Sequence, residues 1–363
     1  MRSPESMTTT RPLVSVGLMT YNQRRWIDRC IEGIRRQDTS FKLEVVIGDD
    51  GSDDGTTDIC RRFADDHPAA LTVRHIVRDR NAPDRAKYSK EYMHNLTTTQ
   101  SECSGKYVAI LEGDDFWRDP QKLQTQVDFL EAHPEYSMCI HNAAVARADR
   151  VMEELWVCPE RFPEYAQDTD YTVLDWPRVL VPTCSFVLRR EVMTKMLGTP
   201  LRFGNCLDIP VLHVAQTLGK IRFMHKAMAC YRVHVHGQWN GAGAVDRYTQ
   251  MLELTSNLLQ YTAEASDDVR RWLQVLFDYN YARVAALSAS AEEFNNLLAH
   301  MGLKDGREKF HSNIWLAQSA ADLILDERER NERLLSSKSY KLGSRVVNAA
   351  RKMLSLLPGA HRS

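Results

Sequence analysis

Three carboxylates within four residues follow a short apolar run near the middle of the first half of the chain. The run covers residues 106–111, and the acids are Glu112, Asp114 and Asp115. Such a run indicates a buried strand, and open α/β sheets bind ligands at the carboxyl ends of their strands. Crowded carboxylates repel one another unless a cation lies between them, and one or two carboxylates with substrate phosphates commonly hold Mg²⁺. The alternative is an acidic helix N-terminus, because a helical pattern begins after Pro120.

A second acidic cluster follows an earlier apolar run. The run covers residues 43–47, and the loop after it reads Gly-Asp-Asp-Gly-Ser-Asp-Asp-Gly-Thr over residues 48–56. An EF-hand calcium loop would need a bidentate Glu at its twelfth position, where this chain has Arg61. The glycines and hydroxyls suit a tight turn and a helix cap. Those roles do not explain Asp49 and Asp50, since acids at a strand end can accept hydrogen bonds from a base or a ribose.

The elements that must position these acids alternate between strand and helix. Apolar runs predict strands at 13–19, 43–47, 72–77 and 106–111, and helical spacings predict helices between them. This alternation favours a parallel sheet with crossover helices, which is a doubly wound α/β domain.

The pattern becomes less regular after residue 134. Strands are predicted at 136–145 and 184–188, and residues 151–175, rich in aromatic, proline and acidic residues, are predicted as a long loop over a site. Helix formers dominate from about residue 246. The predicted organisation is a disordered N-terminus over 1–11, a first domain over 12–245, a helical extension over 246–335 and a basic amphipathic tail over 336–363.

Composition indicates ordinary globular material. The 363 residues carry a net charge of −1, which gives no reason to expect nucleic acid as a partner. The 8 cysteines include no C-x-x-C pair, so reduced thiols in a cytoplasmic protein are the simplest expectation. The N-terminus lacks the apolar core of a signal peptide, and no apolar run has the length of a membrane-spanning helix.

The order of the strand-end motifs resembles one enzyme family. The first strand ends in Thr-Tyr-Asn at 20–22, the second in Asp-Asp-Gly-Ser at 49–52 and the third in Glu-Gly-Asp-Asp at 112–115. Over residues 12–241 the chain resembles the inverting family 2 glycosyltransferases of the GT-A fold, which build cell-surface polysaccharides. The resemblance implies a GT-A domain of α/β class, a UDP-, dTDP- or GDP-sugar donor, a glycan or lipid-linked acceptor, and Mn²⁺ or Mg²⁺ as cofactor.

The resemblance also implies roles for individual residues. Those implied to bind the donor are Thr20, Tyr21, Asn22, Asp50, Asp114 and Arg232. Those implied to bind the metal are Asp114, Asp115 and His234. The family's acidic motif usually begins with Asp where this chain has Glu112, which reaches farther. Trp117 and Trp239 can either stack on a sugar or fill the core, and their spacing does not decide between these roles.

Two downstream segments complete the implied site. Thr-Cys-Ser-Phe at 183–186 resembles the strand that lines the acceptor side, which implies a place there for Cys184 and Ser185. Asp208 is the single acid in the segment that resembles the catalytic base region. An inverting transfer needs one carboxylate to take the proton of the attacking hydroxyl, and we expect Asp208, ionised at neutral pH, to be that base. The alternative role of Asp208 is to cap a helix over 209–218.

The basic tail is a separate signal. Residues 338–363 contain six Lys and Arg and no Asp or Glu, and their apolar residues lie near one helical face. Such a helix suits an anionic membrane surface, and equally suits packing on the helical extension with a solvated basic face. Membrane contact would fit a lipid-linked acceptor at the inner face of the plasma membrane.

Two other functions compete with sugar transfer. A sugar-phosphate nucleotidyltransferase would carry a glycine-rich basic loop after the first strand, and residues 20–23 contain no glycine. The second rival is a non-catalytic relative that binds a polysaccharide or scaffolds a synthesis complex at the membrane. Acids at every motif position favour the enzyme over the scaffold.

Overall fold

The computed structural model describes residues 12–147, 150–175, 179–234, 237, 243–261 and 267–287. The chain divides into two compact units, Met1–Asn240 and Gly241–Ser363. Residues 1–11, Trp239 and the predicted basic tail lie outside the described residues, as does the predicted extension beyond residue 287. No helix among the described residues has the length and apolar character needed to cross a membrane.

A mixed sheet of ten strands forms the centre of the first unit. In chain order the strands are β1 (Val14–Thr20), β2 (Leu43–Asp49), β3 (Leu71–Val77), β4 (Tyr107–Glu112), β5 (Phe116–Trp117), β6 (Tyr136–Arg147), β7 (Arg150–Leu155), β8 (Thr169–Tyr171), β9 (Val187–Arg189) and β10 (Lys220–Val233). Their spatial order is β3-β2-β1-β4-β9-β6-β10-β5, with β7 paired to β6 and β8 paired to β10.

Helices cover the sheet. Those of the first unit are α1 (Ile27–Arg35), α2 (Thr56–Asp65), α3 (Glu91–Ser101), α4 (Lys122–Ala132), α5 (Arg190–Leu197) and α6 (Asp208–Leu218). The second unit contains α7 (Ala244–Tyr261) and α8 (Asp267–Leu287), where Leu252, Tyr281 and Val284 form a small core. Helix α1 shows how the sequence sets this packing: Ile27, Cys30, Ile31 and Ile34 recur at helical spacing and are all buried.

The first four strands confirm the predicted parallel arrangement. β1 pairs in parallel with β2 and β4, and β2 pairs in parallel with β3. Every residue of β1 and β2 is buried, as expected for central strands with helices on both faces. The crossover helices α1, α2 and α3 return the chain to the edge where the next strand begins. The loops after β1, β2 and β4 therefore all leave the opposite edge, where these parallel strands end.

The second half of the sheet differs from the prediction. β9 runs antiparallel to both β4 and β6, so the sheet is mixed beyond the four strands for which a parallel arrangement was predicted. The predicted strand at 184–188 begins later, because Thr183–Ser185 forms a 3₁₀ turn and β9 starts at Val187. An antiparallel strand needs no crossover helix before it, which is why the strand and helix alternation stops here.

Residues 151–175 are not the predicted long loop. They contain most of β7, the whole of β8 and two 3₁₀ turns. The aromatic residues that suggested a binding loop are core residues: Phe162, Tyr165 and Tyr171 are buried, and the Tyr165 ring lies 4.9 Å from that of Phe223. Burial of these aromatic side chains holds the segment on the sheet.

Candidate functional site

The carboxyl ends of β1, β2 and β4 lie side by side. β1 is the middle strand of the three, with Thr20 opposite Asp49 and Met19 opposite Glu112. The three motifs that are far apart in the sequence therefore begin at the same edge of the sheet. Ligands of α/β sheets bind at this edge, so the residues that follow these strands form the candidate site.

The loop after β1 is bonded to the acidic loop after β2. The backbone N–H of Asn22 donates to Ser52 Oγ at 2.9 Å, and Asn22 Oδ1 accepts from the N–H of Asp53 at 3.0 Å. Asn22 has a φ of 49°, a left-handed conformation in which Asn is enriched. Gly51 and Gly55 have φ of 76° and 98°, values that residues other than glycine rarely adopt. These conformations let two short loops close against each other.

Asp49 points into the acidic loop. It is fully buried and accepts hydrogen bonds from the N–H and the hydroxyl of Ser52, at 3.0 and 2.6 Å, and from Thr57 Oγ1. His75 Nε2 lies 3.6 Å from the other carboxylate oxygen. Burial raises the pKa of Asp49, but the neighbouring His75 and the hydrogen bonds from Ser52 and Thr57 outweigh burial and lower that pKa below its ordinary value. Asp49 therefore shapes the loop as a buried carboxylate.

Asp50, the predicted base contact, forms ion pairs with two arginines. Arg80 Nη1 donates to Asp50 Oδ2 at 2.9 Å, and Arg85 donates to both carboxylate oxygens. The Arg80 guanidinium also lies 4.2 Å from the centre of the Tyr21 ring and donates to Glu91 Oε2 at 2.6 Å. Tyr21 is 41% exposed, whereas Asp50 is 3% exposed. Tyr21 and Arg80 thus form the accessible part of the predicted base region.

Glu112, at the end of β4, contacts the turn before β9. The hydroxyl of Thr183 lies 2.8 Å from each of the two carboxylate oxygens of Glu112. Burial is the main reason that the pKa of Glu112 is raised to about 7. The hydrogen bond from Thr183 lowers this pKa, whereas the charges of Asp114 and Asp208 raise it further. Glu112 therefore interacts electrostatically with both Asp114 and Asp208.

Asp114 contacts the end of β10. Its Oδ2 lies 2.9 Å from His234 Nε2, and its backbone carbonyl accepts from Arg232 Nε at 2.8 Å. The His234 ring centre is 4.3 Å from that of Trp26, and the Arg232 guanidinium lies 5.5 Å from the Trp26 ring centre. The structure therefore brings together Asp114, His234 and Arg232, as the family resemblance implies.

Asp115 is directed into the protein. It is 2% exposed, and its Oδ1 accepts the backbone N–H of Arg232 at 2.7 Å. Burial raises the pKa of Asp115 well above its ordinary value, and repulsion by Asp114 and Glu112 raises it further. In this arrangement the Asp115 carboxylate connects the end of β4 to β10. Its implied role as a metal ligand stays a prediction.

Asp208 is the first residue of α6 and is half-buried. The capping position of this helix is Leu207, one residue before Asp208, and the Leu207 side chain makes no capping hydrogen bond. Burial raises the pKa of Asp208, while hydrogen bonds from the backbone of Ile209 and from Cys206 oppose the rise. A raised pKa makes an ionised carboxylate a better proton acceptor.

Three predicted residues lie beneath the site rather than on its surface. Trp117 is 3% exposed and its Nε1 donates to the Cys184 carbonyl at 2.9 Å, so it fills the core. Cys184 and Ser185 are fully buried, and Ser185 Oγ donates to the Pro182 carbonyl at 2.7 Å. The hydroxyl that reaches the acids from this turn belongs to Thr183.

Comparison with known proteins identifies the family. Residues 15–197, half of the chain, match Glycosyl transferase family 2. The chain belongs to this family. The uncharacterized protein Rv1520 of Mycobacterium tuberculosis is 32% identical over 238 residues, which cover 63% of this chain and 61% of the relative. The family 2 chain thus spans less than two thirds of that relative's length.

Solved structures show the fold of this family 2 chain. S. aureus TarS 1-349 in complex with UDP-GlcNAc has a TM-score of 0.56 at 15% identity, covering 79% of this chain and 80% of that one. Mannosyltransferase PcManGT from Pyrobaculum calidifontis, in complex with GDP-Man and Mn2+, has a TM-score of 0.52 at 18% identity, covering 95% and 88%. The predicted GT-A fold of α/β class is confirmed.

The donor atoms of the family 2 site fit a divalent cation in part. No group of three or more His, Cys, Asp or Glu side chains in the described ranges is arranged to hold a metal ion. The adjoining side chains of Asp114 and His234 offer one carboxylate and one imidazole. Mg²⁺ typically takes one or two protein carboxylates and completes its shell with water and substrate phosphates. The residues present therefore fit an ion that is held jointly with a diphosphate.

The sequence did not single out Arg80, Arg85 or Trp26 for the family 2 site, and it placed Thr183 on the acceptor side without its contact to Glu112. Arg80 and Arg85 lie 30 and 35 positions after Asp50, and Thr183 lies 71 positions after Glu112. Trp26 was predicted only as part of a helix. The density of arginines after the third strand was a usable signal for the first two. Nothing in the sequence near Thr183 or Trp26 marks them as partners of Glu112 or His234.

Proposed function

We propose that this family 2 enzyme transfers a sugar from a nucleotide-diphosphate donor to a hydroxyl of a glycan or lipid-linked acceptor, with inversion and with a divalent metal. The observation that carries the proposal is the position of Asp208. This half-buried carboxylate heads α6 and lies close enough to Glu112 to raise its pKa, at the edge that also holds Asp114. We infer that a base there acts on an acceptor hydroxyl bound beside the donor.

Asp208 performs the proton transfer in this proposal. Its carboxylate accepts the proton of the acceptor hydroxyl as the oxygen attacks the anomeric carbon. The nucleoside diphosphate departs from the opposite face of the sugar, so one displacement inverts the anomeric configuration. The burial that raises the pKa of Asp208 supports this role, because a raised pKa strengthens the carboxylate as a base.

The opposite side of the site receives the diphosphate. Asp114 and His234 would hold Mn²⁺ or Mg²⁺, which neutralises the negative charge of the leaving diphosphate when bound. The guanidinium of Arg232 adds a fixed positive charge beside the same acids. Asp115 keeps Arg232 in place through its backbone N–H.

The donor and the setting follow from family likeness. TarS is solved with UDP-GlcNAc and PcManGT with GDP-Man, which supports UDP- and GDP-sugars, together with dTDP-sugars, as the donors to test. We propose cell-surface polysaccharide or glycan synthesis at the inner face of the plasma membrane as the setting. A thermal-shift screen of the three donor classes with Mn²⁺ tests donor binding, and stabilisation of the protein by none of them would contradict it.

Replacing the proposed base tests the reaction. We expect Asp208→Asn to lower the transfer rate by about 100-fold or more, because a general base typically contributes 10²–10⁴-fold. Binding of the donor to the variant should persist in calorimetry. Transfer is measured with the donor selected by the thermal-shift screen and a panel of p-nitrophenyl glycosides as hydroxyl acceptors.

The matched control is Asp58→Asn, which removes the same charge from the surface of α2. Asp58 is 66% exposed and pairs only with its helix neighbour Arg61 among the salt bridges of the described chain. Its transfer rate should equal that of the wild type. Full activity in Asp208→Asn would refute the assignment.

Metal dependence is tested separately by UDP and GDP binding with and without Mn²⁺. We expect Mn²⁺ to strengthen binding of the preferred nucleotide by about tenfold or more, equivalent to roughly 1.4 kcal/mol. Asp114→Asn should abolish most of that gain, because it removes the carboxylate that adjoins His234. Equal binding with Mn²⁺ and with EDTA in the wild type would contradict metal dependence.

A further inference from the structure

We propose that Glu112 is a positioning residue that holds the turn Thr183–Ser185 against the end of β4 through the hydroxyl of Thr183. Glu112 then acts on the acceptor side of the site and is not a metal ligand. This inference rests on the proposed transfer reaction. It gives a function to the one acid of the motif whose type departs from the family pattern.

The contact geometry supports a hydrogen bond that depends on the length of the glutamate. Thr183 Oγ1 is 2.8 Å from both Glu112 oxygens, so the hydroxyl sits centrally on the carboxylate. An aspartate at this position would end about 1.5 Å short, which is one carbon–carbon bond. Its carboxylate would then lie beyond hydrogen-bonding distance of Thr183 without backbone movement. The Glu112 side chain therefore matches the position of this particular turn.

Two further bonds to the turn come from core side chains. The Cys184 carbonyl accepts from Trp117 Nε1 at 2.9 Å, and the Ser185 carbonyl accepts from Gln126 Nε2 at 2.9 Å. Both donors are buried side chains of the core. The bond from Thr183 to Glu112 holds the turn from the other side, where the acids of the site lie. The turn is also linked to the acids by the hydrogen bond between Cys184 and Asp115, so loss of the Thr183 bond removes one of two links.

Glu112 also lies between the donor and acceptor groups. It is near enough to both Asp114 and Asp208 to experience their charges, while its own oxygens are directed at Thr183. The contact between Asp114 and His234, at 2.9 Å, involves no oxygen of Glu112. The bond between Glu112 and Thr183 therefore sets how closely the turn approaches the proposed base.

Conservative substitutions separate this role from a charge-based role. Glu112→Gln keeps a hydrogen-bond acceptor of the same length, so its kcat and its KM for the acceptor should stay within about threefold of the wild type. Glu112→Asp, although it restores the usual family residue, should lower kcat/KM for the acceptor about 10-fold or more, as loss of a hydrogen bond to a charged group would.

The partner side gives the reciprocal test. Thr183→Ser keeps the hydroxyl and should match the wild type, whereas Thr183→Val should resemble Glu112→Asp. Combining Thr183→Val with Glu112→Asp should cost no more than either change alone, because both remove the same bond. Binding of UDP with Mn²⁺, measured by calorimetry, should be unchanged in all of these variants. Acceptor kinetics use the p-nitrophenyl glycoside panel.

Two results would overturn the inference. One is a Glu112→Gln variant as impaired as Glu112→Asp, and the other is loss of the Mn²⁺ effect on UDP binding in Glu112→Gln. Either would show that Glu112 works through its charge on the donor or the metal. If the wild type transfers no sugar, the proposed function fails. The contact between Glu112 and Thr183 is then tested by urea unfolding of the single and double variants. Non-additive shifts of the unfolding midpoint would then support the contact, and additive shifts would overturn it.

Discussion

Asp50 is both the predicted base contact and the counter-ion of Arg85. Asp50 is 3% exposed and Arg85 is 8% exposed, so the pair lies almost fully out of water. Removing one partner of a buried ion pair leaves an uncompensated charge in the interior. A substitution at Asp50 therefore changes the stability of the protein as well as any contact with a base.

We expect Asp50→Ala to lower the free energy of unfolding by about 3–5 kcal/mol, the usual cost of breaking a buried ion pair. Urea denaturation of the full chain measures this difference. Asp58→Ala removes an exposed partner of Arg61 and should cost less than about 1 kcal/mol. Equal stability of the two variants would show that Asp50 is not needed to neutralise Arg85.

For single residues, the sequence indicated which acids follow strand ends but not which side chains bond to those acids. Asp50 and Asp114 were predicted to follow strand ends, and the structure places them after β2 and β4, because strand ends can be recognised from apolar patterns. The partners of these acids lie on distant loops. Arg85 and Thr183 could not be paired with Asp50 and Glu112, since no local pattern encodes which loop folds over a strand end.

Among the elements, α2 depends on an unusual backbone conformation at its start. Gly55 occupies the capping position with φ of 98°, and a Cβ atom there would lie 2.8 Å from Arg24 Nη1. Glycine adopts this left-handed conformation without steric cost. The backbone of this one residue turns the acidic loop into the helix.

Gly55→Ala should therefore destabilise the protein by about 1–2 kcal/mol, the cost of a left-handed conformation for a residue with a Cβ. Gly198 is the matched control, because it ends α5 with φ of −73° and a right-handed helical conformation. Gly198→Ala should leave the urea midpoint nearly unchanged. A Gly55→Ala variant as stable as the control would show that the loop can relax to another conformation.

The elements up to β4 were predicted and those after it were only partly predicted, for a physical reason. Buried parallel strands read as continuous apolar runs, which are easy to recognise. β8 and β9 have three residues each, which is too short to show a period. The aromatic residues between β7 and β8 looked like loop residues because their burial depends on contacts with Phe223, distant in the sequence.

The stability of the whole molecule includes the cost of a buried lysine. Lys122 is fully buried beneath the site, with its Nζ 2.8 Å from Gln126 Oε1 and 4.4 Å from the Trp117 ring centre. Burial lowers the pKa of Lys122 from 10.5 to about 7. The folded state therefore favours the neutral amine, whereas the unfolded state favours the ammonium ion over the interval between these two values.

The sign of the pH dependence follows from this difference. Below pH 7 both states carry the proton, and the folded state bears the full cost of the buried charge. Between pH 7 and about 10.5 the cost declines as the folded amine is neutral and the unfolded state loses its proton. This difference between the folded and unfolded pKa of Lys122 corresponds to a loss of unfolding free energy of at most roughly 5 kcal/mol, because each pKa unit is worth about 1.4 kcal/mol.

Lys122→Met should therefore stabilise the protein most at pH 6 and progressively less up to pH 10. Urea unfolding of the wild type and the variant at both pH values measures the two differences. Lys87→Met, an exposed lysine, is the control, and its effect should not change with pH. A stability difference between wild type and Lys122→Met that is constant from pH 6 to pH 10 would contradict a lowered pKa.

The hydrogen bond between Asp115 and the backbone of Arg232 has a consequence for how the enzyme is made. It joins residues 117 positions apart, and the contact of Asp114 with His234 spans 120. Ribosomes release the N-terminal strands first. A growing chain thus displays its acids well before β10 emerges to meet them. We expect a ribosome-stalled chain that ends before β10 to bind no UDP with Mn²⁺.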